Sequence, residues 1–251
     1  MDNVIEVSHL TKKFKEKTAV DDLSFTVRQG EILGLLGPNG SGKSTTINCI
    51  LALLTFQRGD IRVFGKEMMP SSYDLKARIG VIFQDVAVFD ELSVQDNIDY
   101  FCGLYVTNRK VRQRCVEDAL RFTGLEEYRK IFPKKLSGGL LRRLNIACGI
   151  AHRPQLLFAD EPTAAVDPQS RSRILDGFRR LRDSGVTIIY TTHYMEEVEQ
   201  ICDRVIILDA GKILASGTIG ELKQQVRPDE DIAGLTLNDV FLELTGKELR
   251  D

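Results

Sequence analysis

The sequence lacks two features that would place it in other protein classes: an excess of one charge and a set of paired cysteines. The 34 Lys and Arg residues are balanced by 36 Asp and Glu residues, whereas general nucleic-acid binders usually carry a basic surplus. The five cysteines are odd in number, and no two stand in a C-x-x-C pair. We therefore expect no nucleic-acid partner, no disulfide framework and no zinc site, and we expect cysteines buried as small apolar side chains in a reducing cytosol.

A long hydrophobic run is also missing. The longest stretch without charge, residues 44–57, is shorter and more polar than the roughly 20 apolar residues that cross a bilayer. Asp2 and Glu6 interrupt the N-terminus, so we expect no secretory signal. The chain is expected not to span a membrane, although it can dock onto a protein that does. Its hydrophobic content of 43% still allows a sizeable core without disulfides or metals.

Short β-rich segments come first, and strands then alternate with helices. Strands are predicted over Val4–Leu10, Ala19–Val27, Glu31–Leu36, Gly59–Phe64, Ile79–Phe83, Leu156–Ala159, Val186–Tyr190 and Arg204–Leu208. Helices are predicted to begin at Pro168 and Tyr194, and the pattern between Ser93 and Ala151 is also helical. This order predicts an α/β protein with a largely parallel sheet and a helical subdomain inserted near residues 85–155.

The C-terminal part is predicted to form a linker and one short helix. Residues 225–231 are polar and contain Pro228, which is typical of a linker. Apolar residues then recur at helical spacing over Leu237–Leu244, and Gly246 suits the C-cap. We predict a main domain over residues 1–224, and a linker and helix over residues 225–251 that folds back on this domain.

A glycine-rich motif lies between a predicted strand and a predicted helix. It reads Gly37-Pro38-Asn39-Gly40-Ser41-Gly42-Lys43-Ser44, followed by Thr45. This spacing fits the phosphate-binding pattern G-x-x-x-x-G-K-[ST], and the strand before and helix after it are the required context. Backbone N–H groups would converge on phosphate oxygens, Lys43 would reach the β- and γ-phosphates, and Ser44 would bind Mg²⁺. The alternative is an ordinary glycine-rich turn.

Three further polar sites follow predicted strands. Asp160 and Glu161 end an apolar strand, where paired carboxylates are costly unless they have ligands. Asp160 would hold Mg²⁺, and Glu161 would orient and deprotonate the attacking water. Gln84 would sense metal and water, and His193 would contact the γ-phosphate. Because ligands bind at the carboxyl ends of strands in open α/β sheets, we expect these groups at one sheet edge. His193 alone would be interpreted as an ordinary surface or core histidine.

Two helix starts have two possible interpretations each. Ser137-Gly138-Gly139 begins a predicted helix, and its open amides could bind the phosphate of another subunit or simply form a capped helix. Asp167 precedes Pro168, which is the pattern of an N-cap followed by proline at the first helical position. We expect that capping role, which leaves room for a second role of Asp167 at an interface.

These motifs, in this order, resemble the ATP-binding subunit of ATP-binding cassette (ABC) transporters over roughly residues 3–224. The resemblance makes GPNGSGKST the Walker A motif, Gln84 the Q-loop, and LSGG at 136–139 the signature motif. It makes FADE at 158–161 the end of Walker B, AAVD at 164–167 the D-loop, and His193 the switch histidine. It implies a P-loop NTPase (RecA-like) core, an N-terminal antiparallel β-subdomain, and Mg-dependent ATP hydrolysis.

The resemblance adds one residue and shows two departures. Phe14 matches the aromatic that stacks on adenine, where the family usually has tyrosine; its alternative role is packing in a β-hairpin. Leu140 replaces the usual signature glutamine, from which at most weakening is expected because Ser137 and backbone amides carry the contact. Ala164 replaces the common D-loop serine. Because Glu161 and His193 are retained, we do not expect an inactive site.

The resemblance is closer to subunits of two-component exporters of the ABC-2 type, on the basis of the runs at 140–144 and 192–197 and the tail at 237–246. It implies a dimer of ATP-binding subunits on the cytoplasmic face of the cell membrane, peripheral to a separate integral-membrane permease. Each of two ATP molecules would lie between one phosphate loop and the opposite Ser137–Gly139. The alternatives are a soluble ABC ATPase not coupled to transport and a non-catalytic nucleotide-binding regulator.

Overall fold

The computed structural model describes residues 2–164, 166–227 and 234–246. The strands are β1 (Asn3–Phe14), β2 (Lys17–Arg28), β3 (Ile32–Leu36), β4 (Arg58–Val63), β5 (Lys66–Glu67), β6 (Ile79–Ile82), β7 (Leu156–Asp160), β8 (Thr187–Thr191), β9 (Arg204–Asp209) and β10 (Lys212–Gly217). The α-helices are α1 (Lys43–Ile50), α2 (Tyr73–Lys76), α3 (Val94–Gly103), α4 (Arg109–Thr123), α5 (Gly138–Ile150), α6 (Pro168–Asp183), α7 (Met195–Ile201), α8 (Ile219–Val226) and α9 (Leu237–Thr245).

The chain divides into two compact units, and the first consists of Met1–Leu75 with Thr187–Asp251. It contains an antiparallel sheet with the strand order β2-β1-β4-β5. Its other strands are ordered β10-β9-β3-β8, in which β3 runs parallel to both β8 and β9. All five residues of β3 are buried. Side chains of a strand alternate between the two faces of its sheet, so both faces are covered at β3, which explains its continuous apolar run.

The second unit, Lys76–Val186, contains the parallel pair β6 and β7 and helices α3 to α6. Apolar side chains of α3, α4 and α5 form one buried core, which includes Val94, Ile98, Leu120 and Leu144. Ser93 caps α3 by accepting from the Asp96 N–H. The predicted α/β class, with an antiparallel N-terminal sheet and an inserted helical part, is confirmed.

The C-terminal segment packs within the first unit. Helix α9 buries Leu237, Val240 and Phe241 in a core that also contains Leu36 of β3 and Val198 of α7. Gly246 forms its C-cap with a φ of 64°. Pro228 and most of the predicted linker lie outside the described residues. Sequence patterns missed β10 and α8 because few of their side chains are buried: in α8 only Leu222 is.

Candidate nucleotide site

The phosphate loop connects β3 to α1 in the first unit, and its glycines are required by the backbone. Gly37 has a φ of 152°, and a Cβ there would lie 2.2 Å from the Leu208 carbonyl oxygen. Gly42 has a φ of 108°, and a Cβ there would lie 2.6 Å from the Ala19 carbonyl oxygen. A side chain at either position would therefore collide with backbone, so the loop can take this path only with glycine.

The interior of this loop presents groups suited to an anion. Helix α1 begins at Lys43, and no side chain caps its first N–H groups. The Lys43 ammonium donates to the carbonyl oxygens of Gly37 at 2.7 Å and Pro38 at 3.2 Å, which holds the cation at the loop. The buried Ser41 hydroxyl has no hydrogen-bond partner in the described chain. Uncapped amides, a cation and a polar atom without a partner fit a bound phosphate.

His193 lies on the first unit at the same strand-end edge as this loop. Thr191, the last residue of β8, pairs with Leu35 of β3, so the segments that follow the two strands are neighbours. The His193 ring contacts the Tyr194 ring, with 4.1 Å between their centroids. A hydrogen bond joins the two residues beside His193: the Tyr194 N–H donates to the Thr192 hydroxyl at 3.0 Å.

A buried carboxylate stabilises this turn. The Tyr190 hydroxyl donates to Glu197 Oε2 at 2.7 Å, and the Thr192 hydroxyl donates to the same oxygen at 3.0 Å. Glu197 is only 2% exposed. In the sequence, Glu197 is distinguished only as part of the family-like run at 192–197. The signal that could have identified it is a glutamate on the buried face of a short helix.

Phe14, the predicted adenine contact, ends β1 at the surface of the first unit. Its side chain is 45% exposed, so it does not belong to the hairpin core. The Lys12 ammonium lies 4.7 Å from the centre of its ring. An exposed aromatic ring beside a cation can stack on a base.

The second unit brings Gln84, Asp160 and Glu161 to one edge, as the parallel pairing of β6 with β7 requires. Ile82 pairs with Ala159, so Gln84 follows β6 beside the end of β7, where Asp160 is the last strand residue and Glu161 comes next. The Gln84 Nε2 atom donates to Glu161 Oε2 at 3.2 Å. Glu161 has a φ of 45°, a left-handed conformation that is uncommon for a residue with a Cβ and that it shares with seven other non-glycine residues among those described.

The signature segment begins a long helix in the same unit. Ser137 is the N-cap of α5, and its side chain accepts from the Leu140 N–H. Ser137 and Gly138 are exposed, and a Cβ added to Gly138 would meet nothing within 4 Å. The amides at this helix start are therefore accessible to an anion from outside the unit.

Asp167 has the predicted capping role. It is the N-cap of α6, where it accepts from the Ser170 N–H at 2.9 Å. Hydrogen bonds from the Ser170 side chain and backbone lower the pKa of the Asp167 carboxyl. A Cβ added to Gly139 would lie 3.4 Å from Asp167 Oδ2, so this carboxylate borders the signature segment.

The candidate magnesium ligands form no dedicated cage. Among the described residues, no group of three His, Cys, Asp or Glu side chains is arranged to hold a metal ion. The predicted ligands are Ser44 in the first unit, and Gln84 and Asp160 in the second. Each side chain offers the kind of hard oxygen donor that Mg²⁺ prefers, and Mg²⁺ usually takes only one or two protein oxygens besides water and substrate phosphates.

The cysteines have no part in this site. All five are free thiols, and four of them are buried. Burial raises the pKa of the Cys102 thiol to about 12, so it stays protonated near neutral pH.

Comparisons with known proteins agree with these features. The description of the ABC transporter family matches residues 20–164. The linearmycin resistance ATP-binding protein LnrL of Bacillus subtilis is 39% identical over 95% of this chain and 78% of its own length. The Nod factor export ATP-binding protein I of Neorhizobium galegae is 37% identical over 94% of this chain and 67% of its own length.

A solved structure described as the ATP-binding subunit of an ABC transporter superposes with a TM-score of 0.87. It is 27% identical to this chain, and the match covers 96% of this chain and 99% of that one. Within the described ranges, none of the helices is both long enough and apolar enough to cross a membrane.

Proposed function

Because this chain belongs to the ABC transporter family, we propose that its ATP hydrolysis drives export of a substrate through a separate integral-membrane permease. The chain binds ATP and hydrolyses it, as the family and the solved ATP-binding subunit indicate. We place it on the cytoplasmic face of the cell membrane as a peripheral subunit.

We assign the following roles to the predicted residues. The backbone N–H groups of the phosphate loop, which Pro38 lacks, and the Lys43 ammonium bind the phosphates. Phe14 stacks on the adenine, and His193 contacts the γ-phosphate. Ser44, Gln84 and Asp160 would hold Mg²⁺, which when bound neutralises charge on the phosphate oxygens. Glu161 takes a proton from the attacking water, and Gln84 keeps the carboxylate in position.

The observation that carries catalysis is the hydrogen bond from Gln84 Nε2 to Glu161 Oε2 at 3.2 Å. A regulator that only binds nucleotide needs no oriented carboxylate at this place, and no left-handed backbone at Glu161. The hydrogen bond therefore supports an active hydrolase over the non-catalytic alternative.

The export role is supported by a groove in the second unit. It has a volume of about 230 Å³, and Phe83, Phe101, Leu104 and Tyr105 contribute to its lining. Phe83, Leu104 and Tyr105 are each more than 40% exposed. Exposed apolar grooves of this kind bind amphipathic helices, so we propose that a permease helix docks here.

The test of hydrolysis is Glu161→Gln, which keeps the size of the side chain but removes the base. We expect ATP binding to be retained and the hydrolysis rate to fall by about 100-fold or more. Calorimetry measures the binding, and phosphate release measures the rate. The matched control is Glu126→Gln at an exposed position, which should change neither. Near wild-type turnover in Glu161→Gln would show that another group is the base.

A further inference from the structure

We propose that Arg142 is a positioning residue for ATP hydrolysis. From helix α5 it holds the backbone of Gln84, and thereby fixes the place from which the Gln84 side chain orients Glu161. The inference rests on the proposed function, because it has no meaning unless Glu161 is the base. It gives a role to a residue that the sequence places only within the run at 140–144, and that does not itself contact the reacting atoms.

The contacts of Arg142 all go to the segment that follows β6. Its Nη1 atom donates to the Gln84 carbonyl oxygen at 2.6 Å and to the Phe83 carbonyl oxygen at 3.3 Å. Asn145 lies one helical turn further along α5. Its Nδ2 atom donates to the Phe83 oxygen at 3.1 Å, and its Oδ1 atom accepts from the Ala87 N–H at 3.2 Å. Two side chains of one helix thus hold the backbone at Gln84 and on both sides of it.

The helix that carries these side chains is itself fixed against β6. A Cβ added to Gly80 would lie 2.5 Å from the Gly149 carbonyl oxygen, and one added to Gly149 would lie 2.9 Å from Ile82 Cγ1. The two backbones approach this closely because both positions are glycine. Helix α5 is therefore a rigid support for the residues that follow β6.

A charged side chain is costly at this position, which argues against a purely packing role. Arg142 is 8% exposed, and burial lowers the pKa of its guanidinium while the carboxylates of Asp85 and Glu161 act in the opposite direction. A leucine would fill the same kind of space in α5 without the cost of removing a charge from water. The Arg142 guanidinium instead donates to the Gln84 carbonyl oxygen, and its charge interacts with the Glu161 carboxylate.

The chain offers a matched control in the next residue. Arg143 lies on the same helix, and its Nη1 atom donates to the carbonyl oxygens of Thr123 at 3.1 Å and Gly124 at 3.4 Å. It therefore also holds a backbone segment, but that segment is the end of α4. Removing either guanidinium costs α5 a similar set of contacts, and only one of the two changes affects Gln84.

The first experiment compares Arg142→Met, Arg142→Lys and Arg143→Met in the full chain. We expect Arg142→Met to lower kcat roughly tenfold, with little change in the KM for ATP. Lysine keeps the charge but lacks the planar fork, so Arg142→Lys should restore part of the rate. Arg143→Met should keep kcat within about twofold. Equal loss of kcat in the two Met variants would show a general effect on α5 and overturn the proposal.

The second experiment is a double-mutant cycle with Gln84→Ala. If Arg142 acts through the Gln84 side chain, then Arg142→Met should lower kcat no further once that side chain is absent. Additive losses would overturn the proposal.

If Arg142→Met does not fold, Arg142→Lys and Asn145→Ala replace it in the comparison. An unchanged kcat in both of these variants would overturn the proposal. The Glu161→Gln variant separates the two levels. Retained turnover in Glu161→Gln would show that Glu161 is not the base and would remove the premise of this inference. Lost turnover in Glu161→Gln together with normal turnover in Arg142→Met would refute only this inference.

Discussion

At the scale of single residues, the candidate site depends on backbone conformations that most residues avoid. Gly37 and Gly42 have positive φ and stand against backbone oxygens, whereas Glu161 has a φ of 45° without being glycine. Such conformations cost free energy, and they persist where the surrounding structure holds them. Gly37 and Gly42 belong to the loop that is proposed to bind phosphate, and Glu161 carries the carboxylate that is proposed to act on water.

Lys43 is the residue whose replacement we expect to weaken ATP binding. In Lys43→Ala the phosphate loop loses its ammonium, which lies at the Gly37 and Pro38 carbonyl oxygens. We expect ATP binding to weaken by about 100-fold or more, because contacts between a charged donor and phosphate are among the strongest hydrogen bonds. Calorimetry with Mg²⁺ measures the affinity, and Lys130→Ala, an exposed position, is the control. Tight binding in Lys43→Ala would refute the phosphate-loop assignment.

At the scale of elements, helices connect the site to the rest of each unit. Helix α9 packs against α7, which begins two residues after His193, and the same core includes Leu36, the residue before the phosphate loop. In the second unit, α5 holds the segment after β6, and α3 contributes to the groove that we assign to a permease helix. In each unit, these helices therefore pack beside the predicted site residues and also contribute to the hydrophobic core.

The end of α3 provides the test of permease docking. Leu104 lines the groove and is 59% exposed, so Leu104→Asp should cost little stability. We expect the tagged wild-type chain to co-purify with a membrane protein from solubilised membranes, and Leu104→Asp to lose it. An aspartate would have to be buried against an apolar partner helix without a compensating charge. Leu53→Asp, at a residue that is 58% exposed in the first unit, is the matched control.

Normal ATP hydrolysis by purified Leu104→Asp would show that the variant is folded. Co-purification of the same membrane protein with Leu104→Asp would refute the groove as the docking site. Loss of that protein from Leu53→Asp as well would point to a general effect of surface charge.

At the scale of the whole molecule, we propose that the signature segment acts on the nucleotide of a second copy of the chain. Ser137 and Gly138 are exposed at the start of α5, with helix amides accessible from outside the unit. A two-fold symmetric dimer would provide each nucleotide with the Ser137–Gly139 segment of the opposite chain. ATP that binds the dimer more tightly than the monomer would favour association by mass action. Specific activity should then rise with protein concentration before it levels off.

Mixing two inactive variants tests this arrangement. Ser137→Arg should block only the opposite site and leave ATP binding to the monomer largely intact, whereas Lys43→Ala disables its own phosphate loop. In a mixed dimer one composite site carries both defects and the other carries neither. Random pairing of equal amounts should therefore return about one quarter of wild-type turnover, if each site acts alone. For the wild-type chain, hydrolysis that stays proportional to protein concentration, down to concentrations at which the chain is monomeric, would refute the dimer.

The sequence by itself determined the features that are local in the chain. The phosphate-loop spacing, the strand before it and the helix after it are contiguous, so the order of residues is enough to identify the loop. The Asp167 cap and the Gly246 end of α9 are local in the same sense, and the structure has both of them. The order of strands and helices determined the α/β class, because alternation with the period of each element is visible in the sequence.

Only the tertiary structure decided which distant residues meet. Gln84 and Glu161 are 77 positions apart, and Arg142 and Gln84 are 58 apart, so their hydrogen bonds depend on the pairing of β6 with β7 and the packing of α5 on β6. The buried charges of Arg142 and Glu197 appear in sequence as ordinary polar positions of helices. Their partners are supplied by other elements, and the energy of a buried charge depends on those partners, which local periodicity does not contain.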